Sequence, residues 1–285
     1  TYMKDLMKKT KPSHAYEAIK RNHAPGGMMS YESADDLKFY VKKGYCPGNA
    51  GKTLEWAFQD WGLSRMALRM GKKSDAALYE KRSRAWTPLF NENIGLILPK
   101  KENGEWLHTD PLNGQGWVEA NAWQATWSVS HDLPKLVELM GGGDAFCEKL
   151  NYAFEQARPT DFVHAYSGGY VSYANQPGCS NAHLFTYGGQ PWLTQYWVRQ
   201  VKEHAYGGIT PDKGYGGHDE DEGQMGAVSA LMSLGLFSVT GTEYDIPYYD
   251  ITSPIFDKIT IKLNKDYYSG DEFVINVHNN SADNC

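Results

Sequence analysis

The spacing of the apolar residues changes near Phe237, and this change constrains the fold more than any other feature of the chain. Before it, apolar residues recur every three to four positions, the period of a helix with one buried face. In residues 52–70 this stripe, expected to face the core, consists of Leu54, Phe58, Trp61 and Leu68. The same pattern predicts helices in 75–88, 119–130, 132–139, 144–156, 190–204 and 222–236. Helices paired through long connections predict a mainly α fold, an α/α toroid.

Near the C-terminus the period becomes that of a β-strand. Segments 257–263 and 272–277 alternate apolar and polar side chains, and a turn at Ser269-Gly270-Asp271 separates them. Two strands cannot satisfy their own outer edges, so we expect them to pair with a sheet from a second copy or from a missing part of the polypeptide. The predicted organisation is a helical domain over 1–240 and a β-strand segment over 241–285.

Charge and composition exclude several classes of partner. The chain of 285 residues carries a formal net charge of −6, which opposes binding to nucleic acid or to an anionic membrane. No apolar run approaches the ~20 residues that cross a bilayer, and the N-terminus carries no targeting signal. Aromatic residues make up 13% of the chain, which is typical of surfaces that stack on sugars, although ordinary core packing explains most of them. The four cysteines are widely separated and are expected to be thiols.

A cluster of four carboxylates lies in residues 216–225, between glycines and the start of a predicted helix. Because residues i and i+2 of an extended segment point to the same side, Asp219 and Asp221 can converge on one water molecule or cation. A solvated acidic helix N-terminus explains the same pattern. The spacing alone leaves both interpretations open.

A lone carboxyl, Glu119, lies between Trp117 and Trp123. Apolar surroundings favour the protonated form of a carboxyl, and a protonated glutamate beside tryptophan is the usual general acid of glycoside hydrolysis. An ordinary glutamate of a first helical turn, favoured by the helix dipole, is the alternative. Together with the acidic cluster about a hundred residues later, Glu119 predicts an acid in an apolar niche and a base in a polar loop.

Residues 173–183 form a polar loop that carries amides and a histidine. Asn175 and Gln176 suit the recognition of hydroxyl groups or the ligation of calcium, although Asn-Gln-Pro-Gly is equally an ordinary turn. His183 is a candidate contact, but a lone histidine is more often structural. This loop alone is a weak indication of function.

Five blocks of sequence, in a fixed order and spacing, carry a family resemblance. They are Thr53–Trp61, Glu119–Gln124 with Ser130-His131-Asp132, Gly188–Gln195, Asp219–Phe237 and Thr252–Lys258. The pattern resembles glycoside hydrolase family 92, whose members are exo-acting, calcium-dependent, inverting α-mannosidases. The resemblance extends from about residue 45 to the end of the chain.

The resemblance implies an architecture and a setting. Family members have an N-terminal β-sandwich followed by an (α/α)6 toroid, so the sandwich and the first toroid helices are expected to be missing here, with truncation at both ends. The β-strand segment would then pack with the missing sandwich. A secreted or periplasmic protein that acts on mannose-containing glycans, as in N-glycan degradation, is also implied.

The same resemblance implies roles for individual residues. Glu119 matches the general acid and Asp221 the general base, with Asp219 assisting the base or holding the attacking water. Calcium is implied as a cofactor that bridges O2 and O3 of the terminal mannose. Its candidate ligands, chosen because calcium accepts amide oxygens, are Asn121, Gln124 and Gln176. The candidate substrate contacts are Asn175, Gln176, Trp117, Trp123 and His183.

Two positions depart from the family pattern. Gln176 stands where many relatives have glutamate, and a following histidine pair is lost, which removes groups that would hold the leaving sugar. The α-1,2, α-1,3, α-1,6 and phosphate-linked mannosides therefore remain open as substrates. Ala120 replaces a glycine beside the acid and is expected to preserve the position of Glu119. Two other interpretations remain open: an inverting α/α-toroid glycosidase without calcium, and a carbohydrate-binding protein without catalysis.

Overall fold

A computed structural model describes residues 11–30, 34–210, 223–240 and 248–281. Its α-helices are α1 (Pro12–Asn22), α2 (Ala34–Lys43), α3 (Ala50–Arg69), α4 (Lys73–Arg82), α5 (Ala122–Ala125), α6 (Leu133–Leu139), α7 (Gly143–Ala157), α8 (Pro191–His204) and α9 (Gln224–Leu234). The strands in these ranges form antiparallel pairs: β1 (Phe90–Asn91) with β2 (Leu96–Ile97), β3 (Leu236–Phe237) with β4 (Asp250–Ile251), and β5 (Lys258–Lys262) with β6 (Glu272–Asn276). The described chain is mainly helical, as the apolar periodicity predicts.

Helix α3 is the longest of these helices and forms one wall of the cleft described below. It begins at Ala50 because the side-chain oxygen of Asn49 accepts a hydrogen bond from the Lys52 backbone N–H at 2.8 Å. Gly71, at φ +73°, turns the chain just after the helix ends, and α4 then packs against α3. The helix predicted over 52–70 is confirmed.

The predicted core face of α3 is wrong. Of the expected stripe only Leu54 is buried, whereas Phe58 and Leu68 are exposed. The face that packs inward is formed mainly by small and polar residues: Ala50, Thr53, Leu54, Trp56, Ala57, Asp60, Leu63, Ser64 and Ala67. Small side chains allow α4 to approach closely, while Trp56 remains on the inward face and Phe58 lies on the exposed side.

A buried carboxylate, Asp60, ties the first four helices together. It is fully buried and accepts hydrogen bonds from the Tyr40 hydroxyl at 2.9 Å and from Arg82 Nε at 2.8 Å, and it lies 2.9 Å from His23 Nδ1. Arg82 also donates to the His23 carbonyl oxygen at 3.3 Å. Since an uncompensated buried charge is costly, this network explains how a polar residue can occupy the inward face of α3.

Helices α7 and α8 pack around a 3-10 segment at Asn181–Gly188. The ring of Phe154 on α7 stacks on Trp197 of α8 with 5.0 Å between centroids. A Cβ added to Gly143 at the start of α7 would lie 2.3 Å from the Gly188 carbonyl oxygen, so this close approach requires glycine. The predictions of helices at 144–156 and 190–204 are confirmed to within one residue at each end.

Two helix predictions are wrong in extent. The helix expected over 119–130 is reduced to the single turn of α5, because Glu119 and Asn121 have non-helical backbone conformations. The helix expected over 75–88 starts at Lys73 and ends at Arg82, and Pro88 then lies in a short 3-10 turn. The predictions at 132–139 and 222–236 match α6 and α9, with residue 222 outside the described part.

The two predicted C-terminal strands form a hairpin with each other. Lys258 pairs with Asn276 and Lys262 pairs with Glu272. Arg199 of α8 fixes the adjoining chain by donating to the Pro254 carbonyl oxygen at 2.6 Å and to Asn280 Oδ1 at 2.9 Å. The pairing of this hairpin with a further sheet stays a prediction, as does the division of the chain at residue 240.

Within the ranges that the structure describes, no helix is both long and apolar enough to cross a membrane.

Candidate active site

A cleft of about 570 Å³ opens between the N-terminal half of α3, two loops and the start of α9. Leu54, Glu55 and Phe58 of α3 form one wall. The turn before α5 contributes Trp117, Val118, Glu119 and Ala120 to the lining. The loop after residue 174 contributes Asn175, Gln176, Pro177 and Ser180, and α9 contributes its first residue, Gln224. Four predicted site residues from distant parts of the sequence, Trp117, Glu119, Asn175 and Gln176, therefore line one cleft.

The turn that carries Glu119 is pinned to the start of α3. The Gly116 carbonyl oxygen accepts hydrogen bonds from the backbone N–H of Ala50 at 2.8 Å and of Gly51 at 3.4 Å. Gly116 has φ +85°, and a Cβ there would lie 2.7 Å from Pro99 Cβ, so a glycine is required. Three residues later Glu119 itself has φ +50°, a left-handed conformation that costs energy for any residue with a side chain.

Glu119 is exposed in the part of the cleft that the structure describes. Its described contacts are with Asn175, whose Nδ2 donates to the Glu119 carbonyl oxygen at 3.2 Å and to its carboxylate Oε2 at 3.4 Å. The neighbouring Val118 is 64% exposed. The prediction of an apolar niche between two indoles is therefore wrong for the described residues, because the left-handed turn lifts the carboxyl out of the core and into the open cleft.

The loop that carries Asn175 and Gln176 has a defined conformation. Asn175 caps a 3-10 turn at Gln176–Gly178, with its Oδ1 accepting from the Gln176 backbone N–H at 3.0 Å. Gln176 is exposed and lines the cleft. Both residues are thus placed where a ligand beside Glu119 could reach them.

The predicted base and its neighbour, Asp221 and Asp219, lie outside the described residues. Gln224, three positions after Asp221, lines the cleft. The separation of the Glu119 and Asp221 carboxyl groups remains a prediction.

Two candidate calcium ligands do not line the cleft and have their amides engaged elsewhere. Asn121 is fully buried, caps α5 through Oδ1, and donates through Nδ2 to the carbonyl oxygens of Ser167 at 2.7 Å and Gly169 at 2.8 Å. Gln124, also buried, donates to the Gly168 carbonyl oxygen. Only Gln176 of the three candidates lines the cleft. Across the described ranges there is also no cluster of three His, Cys, Asp or Glu side chains that could hold a metal. Asn121 and Gln124 therefore lie away from the cleft, and the set of calcium ligands stays a prediction.

Two predicted substrate contacts are part of the interior. Trp123 packs against Tyr170 and Tyr152, with ring centroids 5.2 and 5.6 Å away, and is absent from the cleft wall. His183 is fully buried and stacks on Phe237 at 3.7 Å. Burial lowers the pKa of His183 to about 3, so its ring is neutral at physiological pH. These positions favour the structural interpretation of His183, and neither residue lines the cleft.

The cleft wall includes residues that the sequence argument did not select. Glu55 is exposed on α3 and lines the cleft beside Leu54 and Phe58. The ring of Phe58 lies 5.5 Å from Trp61 and 5.8 Å from His131, which gives the wall an aromatic surface. The helical spacing of Gly51, Leu54, Glu55 and Phe58 places them on one face of α3, a face that the apolar pattern predicts to lie in the core.

Comparisons with known proteins agree with this architecture. The sequence model of the glycosyl hydrolase family 92 catalytic domain matches residues 1–285. A family GH92 inverting mannosidase of Bacteroides thetaiotaomicron superposes with a TM-score of 0.77 at 30% identity, over 96% of this chain and 38% of that one. A family GH92 α-mannosidase of the same organism gives a TM-score of 0.78 at 25% identity, over 96% and 35%. An uncharacterized secreted glycosidase of the fungus Arthroderma benhamiae is 25% identical over 92% of this chain and 36% of that protein.

The chain spans between a third and two fifths of the length of these relatives. Its helices correspond to part of the α/α toroid that these enzymes form, and over the described ranges they do not close into a barrel. With a match to the catalytic-domain model over its whole length, the chain belongs to glycosyl hydrolase family 92.

Proposed function

We propose that the protein containing this chain is an exo-acting α-mannosidase that removes terminal α-mannosides from glycans with inversion of configuration. The observation that carries the proposal is the cleft that brings together Glu119, Asn175 and Gln176 with Gln224, the first residue of the helix that follows the acidic cluster. Family membership and the mannosidases among the structural relatives support the same activity.

In this proposal Glu119 is the general acid. Its exposed carboxyl can approach the glycosidic oxygen of a substrate in the cleft and donate a proton as the bond from that oxygen to C1 breaks. Asp221, assisted by Asp219, acts as the general base and removes a proton from the water that attacks C1 from the opposite face. Inversion requires a gap of about 6.5–9.5 Å between the two carboxyl groups, which leaves room for that water.

The residues that line the cleft suit a sugar substrate. Gln176 is exposed and neutral, so it can exchange hydrogen bonds with the hydroxyl groups of the leaving sugar without contributing charge. Phe58, at 40% exposed, supplies apolar surface of the kind on which sugar rings stack, and the largely buried Trp117 contributes to the same cleft wall. Because no charged group stands at position 176, the linkage preference is left open among the α-linked mannosides.

Family membership supports three further parts of the proposal: packing against a β-sandwich, secretion and calcium dependence. The hairpin β5–β6, with Phe273 and Val274 about half exposed, would pack against a β-sandwich of the same polypeptide. Secretion is proposed because a curated relative is described as secreted. Calcium dependence is proposed for the complete protein, and of the three candidate ligands Gln176 lines the cleft.

The test is hydrolysis of α-1,2-, α-1,3- and α-1,6-linked mannobioses by the complete natural protein, with calcium and with a chelator. We expect release of mannose by the wild type, loss of that release in Glu119→Gln and Asp221→Asn, and loss on chelation. Binding of mannosides without turnover of any linkage would replace the proposal with a carbohydrate-binding function. Turnover that survives chelation would remove calcium from it.

A further inference from the structure

We propose that Asn175 is a positioning residue for Glu119, holding its carboxyl in the orientation from which it protonates the leaving oxygen. This inference rests on the proposed function and assigns Asn175 a role different from the substrate contact that the sequence predicted. It is carried by the contacts between two residues that are 56 positions apart in the chain.

The strained backbone of Glu119 is held in place from both sides. A non-glycine residue at φ +50° is strained, and such conformations persist only where neighbouring groups fix them. On the N-terminal side, the Gly116 carbonyl holds the turn to α3. On the C-terminal side, Asn121 and Gln124 hold the chain to the carbonyl oxygens of residues 167–169. Glu119 lies between these two anchored ends.

The side-chain amide of Asn175 has a fixed orientation. Its Oδ1 accepts from the Gln176 backbone N–H at 3.0 Å, which fixes the orientation of the amide because only the oxygen can accept that bond. The Nδ2 group therefore faces Glu119 and donates both to its carbonyl oxygen at 3.2 Å and to its carboxylate at 3.4 Å. One amide thus restrains both the strained peptide and the side chain that it carries.

The consequence is a restraint on the direction of the Glu119 carboxyl. Glu119 is exposed, so no tight packing selects its rotamer among the described residues. A glutamate has three rotatable side-chain bonds, and a misplacement of about 1 Å in a reacting group can reduce a rate by about 100-fold. The bond from Asn175 is the described contact that selects one orientation.

The test uses Asn175→Asp in the complete natural protein. Aspartate keeps the oxygen that caps Gln176, so the loop is expected to fold, but in its ionised form it cannot donate a hydrogen bond to Glu119 and repels the Glu119 carboxylate. Asn264→Asp is the matched control, because Asn264 also accepts a backbone N–H bond through Oδ1, from Asp266 at 2.9 Å, and is exposed in the β-hairpin. Each variant is assayed on an α-mannobiose and on 2,4-dinitrophenyl α-mannoside.

These two substrates separate proton donation from other defects. A sugar alkoxide must be protonated to leave, whereas dinitrophenolate leaves without an acid. We expect Asn175→Asp to reduce kcat on the mannobiose by about 10- to 100-fold, with little change in KM and little loss on the dinitrophenyl substrate. Glu119→Gln should show the same selectivity in stronger form, and Asn264→Asp should match the wild type.

Three outcomes would overturn the inference. An equal loss on both substrates would indicate a general folding defect, and a raised KM with kcat retained would indicate a substrate contact. No loss on either substrate would show that Asn175 has no role. Wild-type protein that hydrolyses neither substrate would instead refute the proposed function, on which this inference depends.

Discussion

The left-handed backbone of Glu119 predicts an inverted order of stability for two substitutions. At ordinary helical positions alanine is more stable than glycine by about 1 kcal/mol. At φ +50° the Cβ of alanine instead costs roughly 1–2 kcal/mol, which glycine avoids. Glycine loses more backbone entropy on folding, about 0.5–1 kcal/mol. The difference leaves Glu119→Gly more stable than Glu119→Ala by about 0.5–1 kcal/mol.

Thermal unfolding of the complete protein measures this difference, with Glu148 as the control position. Glu148 is exposed within α7, where helical geometry applies. Because 1 kcal/mol corresponds to roughly 2 °C in a large domain, Glu119→Gly should melt about 1–2 °C above Glu119→Ala, and Glu148→Gly roughly 2 °C below Glu148→Ala. Both Glu119 variants should fail to hydrolyse a mannobiose. Alanine equal to or more stable than glycine at Glu119 would show that the turn is not strained, and the argument for a restrained acid would lose its basis.

Three further predictions concern the scaffold. Asp60→Ala leaves the Arg82 side chain, which is 12% exposed, without its carboxylate. The variant should lower the free energy of unfolding by about 3–5 kcal/mol in urea titrations, whereas a change below about 1 kcal/mol would contradict the network. Gly143→Ala should lower the midpoint of thermal unfolding because the added Cβ would overlap the Gly188 carbonyl oxygen, and an unchanged midpoint would show that the close approach is not required. Burial lowers the folded-state pKa of His183 to about 3, so as the pH falls the unfolded state binds a proton before the folded state does. The free energy of unfolding should therefore fall below about pH 6.5, by about 1.4 kcal/mol per pH unit. His183→Leu should therefore lose about 2 kcal/mol less than the wild type between pH 6.5 and 5.0, and identical pH profiles would refute the assignment.

The periodicity of apolar residues predicted the long elements because their burial follows a simple repeat. Helix α7 buries a wide apolar face, and the alternation of apolar and polar residues in β5 is regular. The inward face of α3 could not be predicted in the same way. Its central residue is Asp60, and only the structure shows that Arg82, Tyr40 and His23 compensate the charge.

The sequence predicted part of the lining of the cleft but not how its residues contact one another. The lone carboxyl and the amide loop selected Glu119, Asn175 and Gln176, which line one cleft. The contact of Asn175 with Glu119 depends on how two distant loops fold together, so no local pattern reveals it. Asn121 and Gln124 were expected to bind calcium because amide oxygens suit that ion. Both side chains are buried and their amide nitrogens hold a neighbouring loop, and neither lines the cleft, which residue type alone does not reveal.

The central claim is that Glu119 and Asp221 act across one cleft as acid and base. The most direct test is a crystal structure of the complete protein, as the Glu119→Gln variant, with an α-mannobiose bound. We expect the mannobiose in the cleft between α3 and the Glu119 turn, and a separation of roughly 6.5–9.5 Å between the residue 119 side-chain oxygens and the Asp221 carboxyl, with a water molecule between Asp221 and C1. A bound sugar elsewhere, or an Asp221 side chain that faces a different surface, would contradict the account.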